Sequence, residues 1–409
     1  MGSEPILRSA NGEEFDALVD VMDVAFHGDT TPERRARMRT WMDLDRILVA
    51  EDDGRPVATS AAWSWTVSVP GGELPMAAVT AVTVLPTHRR RGLLRAMMDR
   101  LATEARDRGE PLAGLWASEG TIYGRFGYGP AASVADLRAP LAGGLALPDP
   151  DPDDPVVRLV RADEAHPEIA PIHERARSRR GGLVSRGAAW WTGRVLADPP
   201  AERGGARALR VAVAGDDGYA LYRVREGAAT GPVGNWTTVE VQELVAATAA
   251  AERALLRFLS RIDLADELVL HARPVDDALT RIPVDVRALL PQGAGDALWL
   301  RVLDVPAAVA GRAWAAPLDL VLDVVHPEDD VVAGRWRVQA GPDGATAQRT
   351  DDPADLVLPA AELGALYLGG GSAVALADAG RIAEPSPGSA SALDAALRVD
   401  RAPWTVGVF

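Results

Sequence analysis

The chain has 409 residues, 47% hydrophobic and 25% charged, the profile of a globular protein with room for roughly two to four domains. Its net charge of −15 disfavours free nucleic acid as a partner and suits cationic small molecules or basic peptides. With no cysteine there are no disulfides, thiolate metal sites or cysteine nucleophile, and nothing in the composition supports an oxidising compartment. No apolar run approaches the about 18 residues of a membrane span, and the opening MGSEPILRSANGEEFD lacks a basic-then-apolar leader. A cytoplasmic location without membrane attachment is expected. Every basic residue is arginine, which reads as coding bias beside the scarce Asn, Tyr and Phe.

A strand at Ile6–Arg8 and an apolar helix over Phe15–Phe26 come first, followed by strands at Ile47–Glu51 and Pro56–Val69. Residues 79–95, VTAVTVLPTHRRRGLLR, join three signals. Val79 to Leu85 is a β-rich run that stops at Pro86. Arg89, Arg90, Arg91 and Gly92 form a basic loop. Leu93, Leu94, Met97, Met98, Leu101 and Ala105 recur at helical spacing. A strand that runs through a basic loop into a helix is an anion cradle, because the first N–H groups of a helix lack intrahelical partners and the macrodipole adds positive charge there. Gly92 lets the backbone approach a ligand, and arginine forks suit phosphate oxygens.

Leu112 to Ala117 reads as a further strand, broken by Ser118-Glu119-Gly120, after which a short turn presents Tyr123 within ASEGTIYGRFGYG. Ala142–Pro155, rich in Gly, Pro and Asp, is a linker. Beyond it the opening pattern recurs: Val157-Arg158-Leu159, then a helix over Ile169–Ala176. A second strand-to-helix step follows, Trp236–Val241 and then Leu255, Leu256 and Leu259. Its connection has no glycine, and no arginine before Arg253, so it cannot cradle a pyrophosphate. Trp190-Trp191 is better explained by core or interface packing than by ligand stacking. A last module carries strands at Ala297–Val302, Leu318–Val324, around Trp336-Arg337-Val338 and at Asp355–Leu358, then a helix over Ala360–Leu368 stopped at Gly369-Gly370-Gly371. The final Trp404–Phe409 has no charged side chain and is expected to run as a buried strand, placing the Phe409 α-carboxylate inside the protein.

Arg89-Arg90-Arg91-Gly92-Leu93-Leu94 resembles the Arg-x-x-Gly-x-(Gly/Ala) pyrophosphate loop of the GNAT N-acetyltransferases, with Leu94 in place of the usual small residue. Together with ASEGTIYGRFGYG and the aromatic chain end WTVGVF, it makes the whole chain resemble the enhanced intracellular survival (Eis) family. The resemblance implies an α+β (α/β) protein with tandem GNAT-like folds followed by a sterol-carrier-protein-like domain. Residues 1–141 would form the catalytic domain, 156–294 a degenerate GNAT-like repeat without a cofactor site, and 295–409 a C-terminal domain ending in the active site.

It also implies acetyl-coenzyme A as co-substrate. Val82, Thr83 and Val84 would offer main-chain groups to the pantetheine. Arg89, Arg90, Arg91, Gly92, Leu93, Leu94 and Arg95 would hold the pyrophosphate, with Ser118 and Glu119 beside the acetyl end. The acceptor would be a cationic amine of aminoglycoside or polyamine kind or a lysine side chain, and the assembly a homohexamer. Tyr123 would be the general acid; from sequence alone it could equally pack beneath Phe126 and Tyr128. The terminal carboxylate of Phe409 would be the proton acceptor. An α-carboxylate near pKa 3.5 facing an ammonium near 10 is mismatched by roughly six units, about 9 kcal/mol. Either the site shifts both groups, or the carboxylate orients the amine while water carries the proton. The six histidines, His27, His88, His166, His173, His271 and His326, show no ligand-pair spacing, so no metal is expected. A rival class is a non-catalytic coenzyme A sensor or lipid-binding scaffold, which would need neither Tyr123 nor an open chain end.

Overall fold

The fold is taken from a computed structural model that describes residues 5–229, 235–341 and 343–409; the first four residues of the first module lie outside them. The chain divides into two compact units, one made of residues 1–131, 298–399 and 409, the other of residues 132–297 and 400–408.

In the first unit, strands β1 (Ile6–Ser9), β2 (Ile47–Asp52), β3 (Arg55–Val69), β4 (Gly72–Val84), β5 (Leu112–Trp116) and β6 (Gly129–Pro130) belong to one sheet. Leu298–Val302 completes it in the order β1-β2-β3-β4-β5-(298–302)-β6. The hydrophobic periodicities explain the layers. Helix α1 (Phe15–Phe26) buries Phe15, Leu18, Val19, Val21 and Met22. Helix α2 (Pro32–Trp41) buries nothing and is capped by Thr31. Helix α3 (Leu93–Asp107) buries Leu93, Met97, Met98, Leu101, Ala102 and Ala105, one stripe at three- and four-residue steps. Arg46 and Glu110 are both buried and bridge the starts of β2 and β5 through two parallel hydrogen bonds of 2.7 and 2.9 Å.

The parallel pairing of β4 with β5 covers only Met76–Ala78 against Leu112–Gly114. Beyond it β5 is held on its other side by Leu298–Val302, antiparallel along its whole length. A four-stranded sheet in the order Gly344–Arg349, Gly334–Gly341, Leu318–Val325, Leu356–Pro359 also belongs to this unit. The helix Ala360–Tyr367 rests directly on the Gly129–Pro130 and Leu298–Val302 strands. A Cβ at Gly129 would lie 1.9 Å from the Ala361 carbonyl oxygen, and one at Gly364 would lie 2.0 Å from that of Leu300, so only glycine fits at either place.

The second unit repeats the plan. Its seven-stranded sheet runs Leu290–Asp296, Ser133–Pro140, Glu267–Pro274, Asn235–Ala246, Gly218–Ala229, Arg210–Ala214, Val157–Val160. Asn235–Ala246 pairs in parallel with Glu267–Pro274, as β4 does with β5. Two strands thus fall outside the modules to which their position in the sequence assigned them: Ser133–Pro140 lies in the second sheet and Leu298–Val302 in the first. The linker Ala142–Pro155 lies inside the second unit. Trp191 is buried, edge-on to His173 at 5.3 Å and to Tyr219 at 6.1 Å, which is core packing.

One expectation needs correction. Residues 401–409 contain no strand, although Trp404, Thr405, Val406 and Phe409 are buried. Within the second unit the segment is held by separate anchors rather than a ladder. The Trp404 amide donates to the Gly181 carbonyl and its indole N–H to that of Ala272, and Arg186 donates to the Val406 carbonyl. An uncharged apolar run signals burial; whether a sheet edge is free to receive it is a tertiary matter.

Candidate active site

The first unit carries a cleft of about 1040 Å³, at the upper end of the roughly 300–1,000 Å³ usual for small-molecule sites. One wall is β4. Thr83 pairs with Thr59 and Thr80 with Ala61, so Ala81 and Val82 together oppose Ser60 in a β-bulge. Ala81 takes a left-handed φ of 50°, held by the Thr59 hydroxyl, which donates to its carbonyl oxygen at 2.9 Å. The bulge comes just after the point where β4 and β5 stop pairing. Val82, Thr83 and Val84, at and after the bulge, line the cleft.

The next wall is the arginine loop. Arg90 adopts φ 63° and Gly92 φ 83°, and Gly92 is the N-cap of α3. The N–H groups of Leu93, Leu94 and Arg95 occupy the first turn, where no i−4 acceptor exists. His88, Arg89, Arg90, Gly92, Leu93, Leu94 and Arg95 all line the cleft. Arg95 also pairs with Glu328 at 2.5 Å.

The third wall is the turn after β5. Ser118, Glu119 and Tyr123 line it together with Thr121, Ile122, Arg125 and Phe126. Tyr123 opens a short 3₁₀ turn, Tyr123–Phe126, and belongs to the same buried cluster as Met98, Leu101, Leu115 and Tyr128. Its ring is edge-on to Tyr128 at 6.2 Å. Burial pushes the Tyr123 phenol above its ordinary value, and a hydrogen bond with Ser118 works against that shift. The fully buried Tyr128 phenol is pushed up to about 12, again chiefly by burial. Both are neutral hydrogen-bond donors at neutral pH.

Of the residues singled out in the sequence, eleven cofactor candidates and Tyr123 thus meet at one cleft. Arg91 and Phe409 are not among its lining residues. Arg91 turns to Asp52 at 3.1 Å. Phe409 is buried with its ring edge-on to Trp65 at 5.3 Å, and Trp65 stacks on Trp63 at 5.1 Å. Trp63 pairs with Ala78, the last β4 residue paired to β5. The sequence reading missed the Ala81 bulge, Arg125 and the end of α1, where Ala25, Phe26 and His27 also line the cleft. The YGRF motif itself could have flagged Arg125; no local signal marks the end of α1. Among the described residues no cluster of His, Asp or Glu could hold a metal ion, and no helix is long and apolar enough to cross a membrane.

Residues 7–131 and 182–332 each match a family model described as an acetyltransferase (GNAT) domain, and residues 305–406 match a sterol carrier protein domain. An uncharacterised N-acetyltransferase of Streptomyces coelicolor is 38% identical over 99% of each chain. N-acetyltransferase Eis of Mycobacterium tuberculosis is 36% identical over 96% of this chain and 97% of its own. The chain belongs to the Eis family of GNAT N-acetyltransferases. The crystal structure of Eis1 from Mycobacterium abscessus, 32% identical, superposes with a TM-score of 0.87 over 99% of this chain and all of the other. As a member of this family the protein transfers acetyl groups, and its GNAT fold implies acetyl-coenzyme A as the donor.

The second GNAT domain differs where the cofactor loop should be. The connection from Asn235–Ala246 to the helix Ala249–Leu259 is only Ala247 and Thr248, and the Thr248 hydroxyl accepts from the Ala251 amide. The helix start is capped by its own chain, with neither loop nor arginine in front of it. Calorimetric titration is therefore expected to saturate at one acetyl-coenzyme A per chain; a stoichiometry of two would refute a cofactor-free second domain.

Proposed function

We propose that the cleft binds acetyl-coenzyme A and that the protein acetylates an amine by direct transfer. The observation that carries this reading is the meeting, in one cleft, of an unpartnered helix start, the Arg89-Arg90 pair, the bulged β4 edge and a buried neutral phenol. The residues fit the ligand: the loop suits a pyrophosphate, and the β4 main chain suits an extended chain of amides. Bound there, acetyl-coenzyme A supplies an acetyl group already activated as a thioester. Tyr123 donates a hydrogen bond and then a proton to the departing sulfur. The Phe409 carboxylate accepts the amine proton, or orients the amine while water carries the proton away. Its support is the buried Phe409 against Trp65, which stacks on Trp63, the residue opposite the last β4 position paired to β5.

The sequence has no cysteine or lysine, and Ser118, which lines the cleft, is hydrogen-bonded to the Tyr123 phenol rather than to a base, which favours direct attack. The acceptor is a cationic amine of aminoglycoside or polyamine kind, or a lysine side chain; the acidic net charge favours such partners. Residues 1–141, apart from Ser133–Pro140, supply the catalytic domain, 156–294 the cofactor-free repeat and 295–409 the domain that delivers the terminus and lends Leu298–Val302 to the first sheet. A homohexamer and a cytoplasmic location complete the reading. A coenzyme A sensor or lipid-binding scaffold remains the rival, and thiol release across a panel of amines separates the two.

The loop assignment has its own test. Replacing Arg89 and Arg90 together by alanine is expected to weaken acetyl-coenzyme A by about 2–4 kcal/mol, the loss of charge-assisted phosphate bonds. Unchanged affinity in calorimetry would remove the loop from the site.

A further inference from the structure

We propose that Asp52 is a positioning residue for the arginine loop: its carboxylate ties His88 and Arg91 and so holds Arg89, Arg90 and Gly92 in the conformation that receives an anion. The inference rests on reading the cleft as the acetyl-coenzyme A site.

Asp52 is itself fixed by a tight hairpin. It ends β2 and pairs with Arg55 across Asp53 and Gly54, whose φ angles of 49° and 75° make the two-residue turn that joins β2 to β3. From this mount Oδ2 accepts from His88 Nε2 and from Arg91 Nη1, each at 3.1 Å. An ionised carboxylate only accepts, so His88 presents Nε2–H to it. The Thr87 hydroxyl, 2.8 Å from His88 Nδ1, holds the other ring nitrogen. The Asp52 side chain is 14% exposed, and its Oδ1 is buried without a hydrogen-bond partner among the described residues. The two loop contacts are therefore the hydrogen bonds this carboxylate makes.

His88 and Arg91 bracket the two arginines that line the cleft. Between them Arg90 is held at a positive φ that an L-residue with a side chain adopts only where its surroundings impose it. The loop also gathers Arg89, Arg90 and Arg91, like charges that favour an open, disordered loop. Asp52 opposes both tendencies at once. It neutralises Arg91, which is turned away from the cleft, and it pins the chain on both sides of Arg90. Arg91 is thus part of the tether, while Arg89 and Arg90 are left for the ligand.

Two effects compete when the carboxylate is removed. One positive charge is freed near the cleft, which favours an anion but is screened over about 8–10 Å at moderate salt. The loop is also released, so ligand binding has to order it, and that cost is mainly conformational entropy, which depends only weakly on salt. The second effect is expected to win. In Asp52→Asn and Asp52→Ala, hydrogen exchange at the amides of residues 87–92 should speed up at least tenfold in the ligand-free protein. The KM and Kd for acetyl-coenzyme A should rise about tenfold, equally at 0.15 M and 0.5 M salt as roughly salt-insensitive ordering requires. The turnover rate at saturating acetyl-coenzyme A should stay within twofold. Arg91→Ala should raise Kd by a smaller factor, and the Asp52→Ala, Arg91→Ala double variant should be no weaker than Asp52→Ala alone. Unchanged loop exchange, tighter acetyl-coenzyme A binding, additive losses, or a fall in turnover with KM unchanged would each overturn the tether. If Arg89→Ala with Arg90→Ala left affinity intact, the cleft reading itself would fail; if affinity dropped there but not in the Asp52 variants, only the tether would.

Discussion

Tyr123→Phe is expected to lower the turnover rate by about 10² or more, some 2.7 kcal/mol of transition-state stabilisation, with acetyl-coenzyme A affinity nearly unchanged. The substitution keeps the ring in its cluster with Leu101, Leu115 and Tyr128 and removes only the hydroxyl. It therefore separates proton donation from packing. The electrostatics give a second readout. Burial raises the Tyr123 phenol, so it is protonated, and competent as an acid, at every pH below its ordinary value near 10. Activity that depends on this proton is present through the neutral range and is lost only as pH rises through the raised value. An alkaline limb above about 10 in the wild type should vanish in Tyr123→Phe. A rate within twofold of wild type would reduce Tyr123 to a packing residue.

Extending the chain beyond Phe409 with a C-terminal tag, or deleting Phe409 alone, is expected to abolish most acetyl transfer while the protein still folds and binds acetyl-coenzyme A. A tag replaces the carboxylate by a neutral amide. The deletion keeps a carboxylate, now on Val408, but short of its former place by about one extended residue, roughly 3.3 Å. A reacting geometry does not tolerate that displacement. The structure explains why folding should survive. The residues that hold the segment, Trp404 and Val406, precede the change, and their partners Gly181, Ala272 and Arg186 are untouched. The deletion removes the Phe409 ring from Trp65, and the tag removes the terminal charge while leaving the ring. Thermal unfolding and calorimetric titration of both variants check the first part, thiol release the second. Full activity in a tagged enzyme would leave the terminus as packing only.

The sequence alone determined the features written in contiguous residues. The strand, basic loop and helix of residues 79–95 are legible because a period of two gives way to a period near four across Pro86 and Gly92, and the anion chemistry of a helix start is local. The lack of glycine and of any arginine ahead of Arg253 in the second strand-to-helix step is legible for the same reason, as is the break at Ser118-Glu119-Gly120 that precedes Tyr123; that this connection is only Ala247 and Thr248 is not. Tertiary structure decided which distant pieces meet. Nothing near Leu298–Val302 says that it lies between β5 and β6, because an apolar strand carries no label for its partner; the edge it takes is the side of β5 away from β4, which exists only once that sheet is assembled. The same holds for Ser133–Pro140, which continues the first module in sequence and pairs in the second sheet. The chain end shows the limit from the other side. Its lack of charge determined that it is buried, but anchors such as Arg186 on the Val406 carbonyl, not a sheet edge, decided its form. Arg91 stands next to Arg90 and shares its chemistry, yet one faces the cleft and the other Asp52. That choice belongs to a carboxylate brought alongside by the β2–β3 hairpin.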